Sequence, residues 1–264
     1  MDQVVTFPQL FVVAGLLLIL AELIVGIQAG LDLVLIGSIL FVSGFIGMFT
    51  DSVPLMLILA TALSMFFIAG ADLFQMVAIG GVMGVAGWQL LTHLEYAQQR
   101  LTSHWAAVED LRQASDHVQQ AVTAFISGGL TGVGLGEGRQ KFANNLPFPH
   151  TDSIFAVIGE ELGLLGTFLV IALFVVLIFR GFTIARYAPD AFGGLLAAGV
   201  TCWIAYDALL NIAVMTAMIP PTGVPLPFIS YGGSSLVATL AGVGVMLNVS
   251  RAVSRSAIPR RRQE

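Results

Sequence analysis

Charge is the scarcest commodity in this chain of 264 residues. Charged side chains make up 10% of it and hydrophobic ones 57%, whereas a soluble domain carries roughly 25% charged residues. Lys141 is the only lysine, and no Lys or Arg precedes Arg100. So little polar surface excludes a water-soluble globular domain. Cysteine is nearly missing too: Cys202 stands alone inside an apolar run, which excludes a framework of intrachain disulfides. No DNA- or RNA-binding motif is present, so no nucleic-acid partner is expected. The residue alternation of an outer-membrane barrel is lacking. The start of the chain has neither the basic region nor the small-residue cleavage site of a signal peptide, so its first apolar run is expected to persist in the mature protein.

Long apolar runs take the place of charge. Several reach about 18 residues or more, the length that crosses a hydrocarbon core roughly 30 Å thick. The expected fold is an all-α polytopic membrane protein with about seven transmembrane helices, at residues 8–27, 31–49, 55–69, 73–92, 153–179, 195–219 and 235–249. Between the fourth and fifth, residues 95–120 mix charges with Leu101, Trp105, Val108, Leu111 and Val118 at helical spacing. That pattern reads as an amphipathic helix within a large extracytoplasmic loop, lying on the membrane, covering a cavity or serving as a solvated linker.

Arginine gives the orientation. Arg180 and Arg186 fall in an expected short loop, and Arg251, Arg255, Arg260, Arg261 and Arg262 fall in the tail. The positive-inside rule puts both in the cytoplasm, with the C-terminus. Residues 93–152 and the proline-rich stretch 220–234 then share the outer face.

The residues able to do chemistry cluster in those two outer stretches and the span between them. Asp152, at a helix mouth, could take a proton from a substrate hydroxyl, with burial raising its pKa and a helix N-terminus or cation lowering it. Equally, Thr151 or Asp152 could simply cap the helix. Glu160 and Glu161 lie in an apolar helix, where a charge costs on the order of 3 kcal/mol. They should face a polar cavity, pair with a cation or be protonated; a purely structural role bonding to neighbouring helices is also open. Asp207 and Asn211, four apart, share a helix face and are read as a tie between helices. The glycines from Gly132 to Gly138, followed by Arg139 and Lys141, could form a backbone nest for an anion or a flexible turn. The pair His150 and Asp152 supplies only two metal ligands.

Three stretches carry a resemblance: SGGLTGVGLGEGRQK (127–141), HTDSIFAVIGEELGLLG (150–166) and PPTGVPLPFISYGGSS (220–235). In this order and spacing they closely resemble the SEDS family (shape, elongation, division and sporulation; the FtsW, RodA and SpoVE proteins). The GVGLGEGRQK wording is nearer the FtsW type, and the resemblance runs from roughly Leu57 to Val253. Residues 1–54 stand apart as a membrane hairpin that faintly resembles NfeD-type modules, residues 55–254 as the SEDS-like membrane domain, and residues 255–264 as a basic cytoplasmic tail.

The resemblance implies a multi-pass protein of the bacterial cytoplasmic (inner) membrane. It implies a peptidoglycan glycosyltransferase that polymerises lipid II at the outer face, working with a class B penicillin-binding protein and other division proteins. Asp152 would be its catalytic base. Lys141 and Arg139 would contact the substrate diphosphate, with His150, Thr151, Glu160, Glu161, Ser230, Tyr231 and Ser234 as further substrate-binding positions. A divalent cation, Mg or Mn, is implied, with Asp152 as a candidate ligand. Two departures stand out: Phe148 and Ser153 replace a glutamate and an aromatic residue usual in the family. Members also have about ten spans, so the first five are expected to be missing here. A catalytically impaired scaffold of the division or elongation machinery and a transporter of lipid-linked precursors are the alternative readings.

Overall fold

The computed structural model describes residues 52–72, 116–141, 146 and 149–257, together with single positions between 74 and 105; at 52–55 and 254–257 it describes backbone alone. Among the described residues every regular element is helical. In chain order these are α1 (Ser52–Ile68), α2 (Asp116–Gly128), α3 (Ile154–Arg186), α4 (Ala191–Met215) and α5 (Gly233–Ala257). The expected spans at 8–27 and 31–49 lie outside the described residues, as do most of 73–92 and most of the amphipathic stretch 95–120.

Among the described residues three helices are long and apolar enough to cross a membrane: α3, α4 and the Gly233–Val253 part of α5. At 1.5 Å per residue, 25 residues span about 37 Å, enough for a hydrocarbon core of roughly 30 Å. Exposure separates the helices. The most apolar window of α4 is 67% buried within the chain and that of α3 only 28%. Leu164, Leu165, Phe168, Leu169, Leu173, Val176 and Phe179 of α3 are exposed, at the three- and four-residue spacing of one helix face. An exposed apolar stripe of this size suits lipid rather than water.

The chain divides into two compact units. In the first, α1 accompanies α3 from Val176, α4 up to Tyr206, and α5. Its buried side chains include Met65, Phe66, Leu195, Leu196, Ala197, Ala198, Ile204 and Met246. Polar groups inside this unit are paired: Ser64 Oγ and Tyr206 Oη lie 2.6 Å apart. Cys202 is buried as a free thiol. The second unit contains α2, α3 up to Val175, α4 from Asp207 and the loop that ends at Gly232. The Phe125 and Phe155 rings join α2 to the start of α3 at 5.9 Å between centroids.

Helix α3 is longer than the expected fifth span and is not one regular rod. Gly163 has φ 66° and ψ −163°, a region open almost solely to glycine. The interruption frees backbone groups, and residues 129–134 satisfy them. The carbonyls of Glu160 and Glu161 accept from the N–H groups of Val133 (3.0 Å) and Gly134 (3.1 Å). In return, the N–H groups of Leu164 and Leu165 donate to the carbonyls of Gly129 (3.0 Å) and Leu130 (3.2 Å). A broken helix at membrane depth is tolerated where protein covers it, and this reciprocal exchange is that cover. The close approach explains Gly132 as well, since a Cβ there would lie 2.1 Å from the Glu161 carbonyl oxygen.

Two expected boundaries change. Arg180 and Arg186 lie within α3, not in a loop, because nothing after Gly163 interrupts the helix; the turn comes at residues 187–190. There Asp190 Oδ2 accepts the Gly193 N–H at 2.7 Å and caps α4. Helix α4 ends earlier than residue 219. Ala217 takes φ 59°, while the Met218 and Ala217 N–H groups donate to the carbonyls of Ala213 and Val214. This is a Schellman ending with alanine where glycine is usual.

Gly163→Ala combines a disfavoured backbone region, worth about 1–3 kcal/mol, with a Cβ 2.4 Å from the Gly132 nitrogen and 2.6 Å from the Leu130 oxygen. We expect a stability loss of about 3 kcal/mol or more, read as a lower thermal unfolding midpoint in detergent. An unchanged midpoint would show that the break is not held by this contact.

Candidate active site

The second unit brings residues 150–152 and the proline-rich stretch together. Residues 149–153 form the turn that enters α3, and Ser153 serves as its N-terminal cap, its carbonyl accepting from Ala156 N–H (3.0 Å) and Val157 N–H (3.2 Å). Three consecutive carbonyls of this turn are then bound by three residues of the segment 211–231. Tyr231 N–H donates to the His150 carbonyl at 2.7 Å. Ser230 Oγ donates to the Thr151 carbonyl at 2.7 Å, while accepting the Leu226 N–H at 2.7 Å. Asn211 Nδ2 donates to the Asp152 carbonyl at 2.8 Å and to the Val224 carbonyl at 2.8 Å.

Proline makes that segment able to serve as a clamp. Pro220, Pro221, Pro225 and Pro227 exclude regular helix, so the N–H groups of Leu226 and Tyr231 remain available for contacts outside a helix. Phe228 is held at φ 66°, unusual for a bulky residue, and its ring lies 6.5 Å from that of Phe174. Sub-optimal backbone of this kind persists where its surroundings over-determine it.

Asp152 is the acidic group of the turn. Burial pushes its carboxyl up from 3.8 to about 6, against the opposing pull of a hydrogen bond from the Thr151 side chain. A carboxylate with a pKa near 6 can take a proton at neutral pH and is a stronger base than a solvated one. The Asp152 side chain faces the proline-rich loop: a Cβ built on Gly223 would lie 3.6 Å from its Oδ2.

Glu160, Glu161 and Lys141 come together, but on one another. Glu160 is 2% exposed. Its Oε1 accepts the Arg139 N–H (2.9 Å), and its two oxygens share the Gln140 N–H. Glu161 accepts the Gly136 N–H at 3.1 Å and pairs with the Lys141 ammonium. The glycine stretch is therefore a nest for anions, and the anions are the chain's own carboxylates. Of the readings open for the acidic pair, the structure shows Glu161 meeting a cation and Glu160 meeting backbone amides. In an apolar chain a glutamate pair is stable only when amides and a cation surround it, and residues 136–141 provide both.

Of the other expected site residues, His150, Thr151 and Tyr231 join the clamp, and Arg139 and Ser234 lie outside it. His150 is exposed and joins the clamp through its backbone carbonyl. Thr151 contributes its carbonyl to the clamp and its side chain to Asp152. Tyr231 is 75% exposed beyond its backbone bond, leaving its ring free. The Arg139 side chain is exposed. Ser234 stands at the start of α5, in the first unit. The expected helix tie at Asn211 is present, although it reaches loops and not a second helix. His117 was not anticipated: its Nε2 lies 2.7 Å from Ser153 Oγ and links α2 to the cap of α3. The signal available was Ser153 itself, a hydroxyl at the start of α3.

Comparison with known proteins places this arrangement. The chain matches the FtsW/RodA/SpoVE family, described as cell cycle protein, over residues 7–255. That match reaches back well before Leu57, into the stretch that the sequence motifs leave outside the resemblance. The chain is 46% identical over 193 residues to stage V sporulation protein E of Bacillus subtilis, covering 72% of this chain and 52% of that protein. It is 40% identical over 189 residues to the probable peptidoglycan glycosyltransferase FtsW of Geobacter sulfurreducens, covering 72% and 50%. The chain thus spans about half the length of these relatives. Among solved structures, it superposes with TM-score 0.72 and 26% identity on a chain from work described as structural coordination of polymerization and crosslinking by a peptidoglycan synthase complex, covering 93% of this chain and 70% of that one. The rod shape determining protein RodA of Thermus thermophilus gives TM-score 0.62 and 27% identity, with 92% and 65% covered. With a family match across nearly its whole length, the chain belongs to the FtsW/RodA/SpoVE family of cell cycle proteins.

Proposed function

We propose that this chain is a peptidoglycan glycosyltransferase that polymerises lipid II at the outer face of the bacterial cytoplasmic membrane. The observation that carries the reading is Asp152: a half-buried carboxylate with its pKa pushed up to about 6, on a turn whose three carbonyls are fixed by the 211–231 segment. Asp152 accepts the proton of the acceptor sugar hydroxyl. The oxygen so freed forms a bond to the anomeric carbon of the donor, the bond from that carbon to the diphosphate breaks, and undecaprenyl pyrophosphate departs. Arg139, exposed beside the glycine stretch, is the candidate for diphosphate contact.

A divalent cation, Mg or Mn, fits the residues to a limited extent. Among the described residues no group of three His, Cys, Asp or Glu side chains could hold a metal ion. Magnesium, however, commonly binds through one or two carboxylates together with substrate phosphates, and Asp152 supplies one. Such an ion would offset the diphosphate charge. We further propose about seven spans with a cytoplasmic C-terminus. On this reading the partners are a class B penicillin-binding protein and other division proteins.

Asp152→Asn should abolish polymerisation of purified lipid II by the chain with its partner, at least 100-fold on the scale of a lost general base. The product is read as glycan strands on a gel. A variant as active as the wild type would remove Asp152 as the base, and a wild-type chain that makes no polymer with its partner would leave the scaffold reading in place. The wild-type rate should fall as pH drops through about 6, where Asp152 takes up its proton; a rate flat from pH 5 to 8 would remove Asp152 as the base.

The effect on stability has the opposite sign. Folded Asp152 keeps its proton to higher pH than the unfolded chain does, so stability falls as pH rises from 3.8 to about 6 and stays reduced above. Asp152→Asn should therefore raise the unfolding midpoint at neutral pH and change it little below 3.8. A lowered midpoint at neutral pH would contradict the burial of this carboxylate.

A further inference from the structure

Two buried polar atoms beside Asp152 have no hydrogen-bond partner among the described residues: Asn211 Oδ1 and Thr222 Oγ1. Their positions are tightly constrained. Asn211 is 1% exposed, and its amide nitrogen is committed to the carbonyls of Asp152 and Val224. Both partners are acceptors, so the orientation of the amide is fixed by chemistry and the unpaired atom is its oxygen. That oxygen belongs to the same small amide group and stays within a few ångströms of the Asp152 backbone. Thr222 precedes Gly223, the residue that lies against the Asp152 carboxylate, and stands two before Val224, which Asn211 holds.

A buried polar atom left unpaired costs about 1–3 kcal/mol, and native proteins keep few of them. Two so near one carboxylate, one on the residue that binds the Asp152 carbonyl and one on the residue before Gly223, are groups awaiting a partner from outside the chain. Their chemistry defines that partner. An amide oxygen only accepts, so the ligand must present an O–H or N–H there; a threonine hydroxyl can donate or accept. The Asp152 carboxylate adds a third hydrogen-bonding position.

We propose that Asn211 Oδ1 and Thr222 Oγ1 form a recognition subsite for the sugar whose hydroxyl Asp152 deprotonates, taking hydrogen-bonding groups elsewhere on that same ring. This rests on the reading of Asp152 as the base and adds to it a specificity determinant. An N-acetylated sugar, with hydroxyls and an amide N–H beside a carbonyl, has the required set of donors and acceptors. A site built to bond such groups discriminates strongly against analogues that lack them, because its own buried atoms are then left unpaired. Asn211 has a second role: by joining the Asp152 carbonyl to the Val224 carbonyl it positions the base and the subsite on one support.

Thr222→Val is the informative test, because it removes the hydroxyl and keeps the shape. If that hydroxyl serves the folded protein, its loss lowers the unfolding midpoint. If it serves substrate, the midpoint is unchanged or raised, since a buried unpaired group has been deleted, while substrate affinity falls. We expect binding of purified lipid II to weaken about three- to tenfold, the scale of one hydrogen bond. Binding is measured on the full chain carrying Asp152→Asn, with and without Thr222→Val, so that the result does not depend on turnover. In the otherwise wild-type chain with its partner, KM should rise by a similar factor, and Thr222→Ser should restore it.

Unchanged affinity in Thr222→Val overturns the proposal, as does weaker binding accompanied by a lower midpoint; a water bridge that serves structure alone would give one of these results. The two readings fail separately. Full polymerisation by Asp152→Asn would refute the base, whereas wild-type binding by Thr222→Val would refute the subsite and leave the base untouched.

Discussion

Three consecutive carbonyls hold the site together. Those of His150, Thr151 and Asp152 precede the first turn of α3 and cannot be bonded by it, so each needs a partner elsewhere. Tyr231, Ser230 and Asn211 each bond one of them. A turn fixed at three successive points has little freedom, so the Asp152 side chain points where the clamp directs it. That direction is toward Gly223 and into partial burial, which is what raises its pKa. The raised pKa of the carboxylate is thus a consequence of how backbone hydrogen bonds are satisfied.

The same requirement organises the acidic pair farther along α3. Glu160 and Glu161 would be expensive in an apolar helix without partners. Around them fold the glycine-rich residues 132–141, whose amides and single ammonium meet the two carboxylates. The backbone of the glycine stretch meanwhile meets the groups freed by the break at Gly163. One loop therefore answers two demands, the charge of the side chains and the unpaired peptide groups of the interrupted helix. Gly132 follows from a contact too short for any Cβ, whereas Gly134 and Gly136 have room around them and are required by positive φ.

The departures from regular geometry gather near this region. Gly163 in α3, Ala217 at the end of α4 and Phe228 in the proline-rich loop all have positive φ. Each lies on an element that shapes or carries the clamp: the helix entered by the Asp152 turn, the helix bearing Asn211, and the loop bearing Ser230 and Tyr231. Strain of this sort collects where position matters more than stability. Membership of the FtsW/RodA/SpoVE family accords with that placement, since the family's three motif stretches are the segments that meet here.

Much of this was legible in the residues alone. The scarcity of charge and the long apolar runs determined a helical membrane protein, because peptide groups in lipid must be bonded within a helix or a closed barrel. The family resemblance carried by the three motif stretches singled out Asp152, and the pairing of Asp207 with Asn211 on one face pointed to a tie. What the sequence could not determine was which partner each polar group finds. Glu160 and Glu161 read equally well as cavity lining, and the glycine stretch as a nest for a ligand; only the fold shows that each answers the other. Likewise the single rod expected for α3 is broken, because glycine permits a break without requiring one, and the contact with residues 129–134 decides it. Local sequence sets which groups need a partner, and the long-range approach of segments 100 residues or fewer apart in the chain, such as 150–152 and 211–231, selects it.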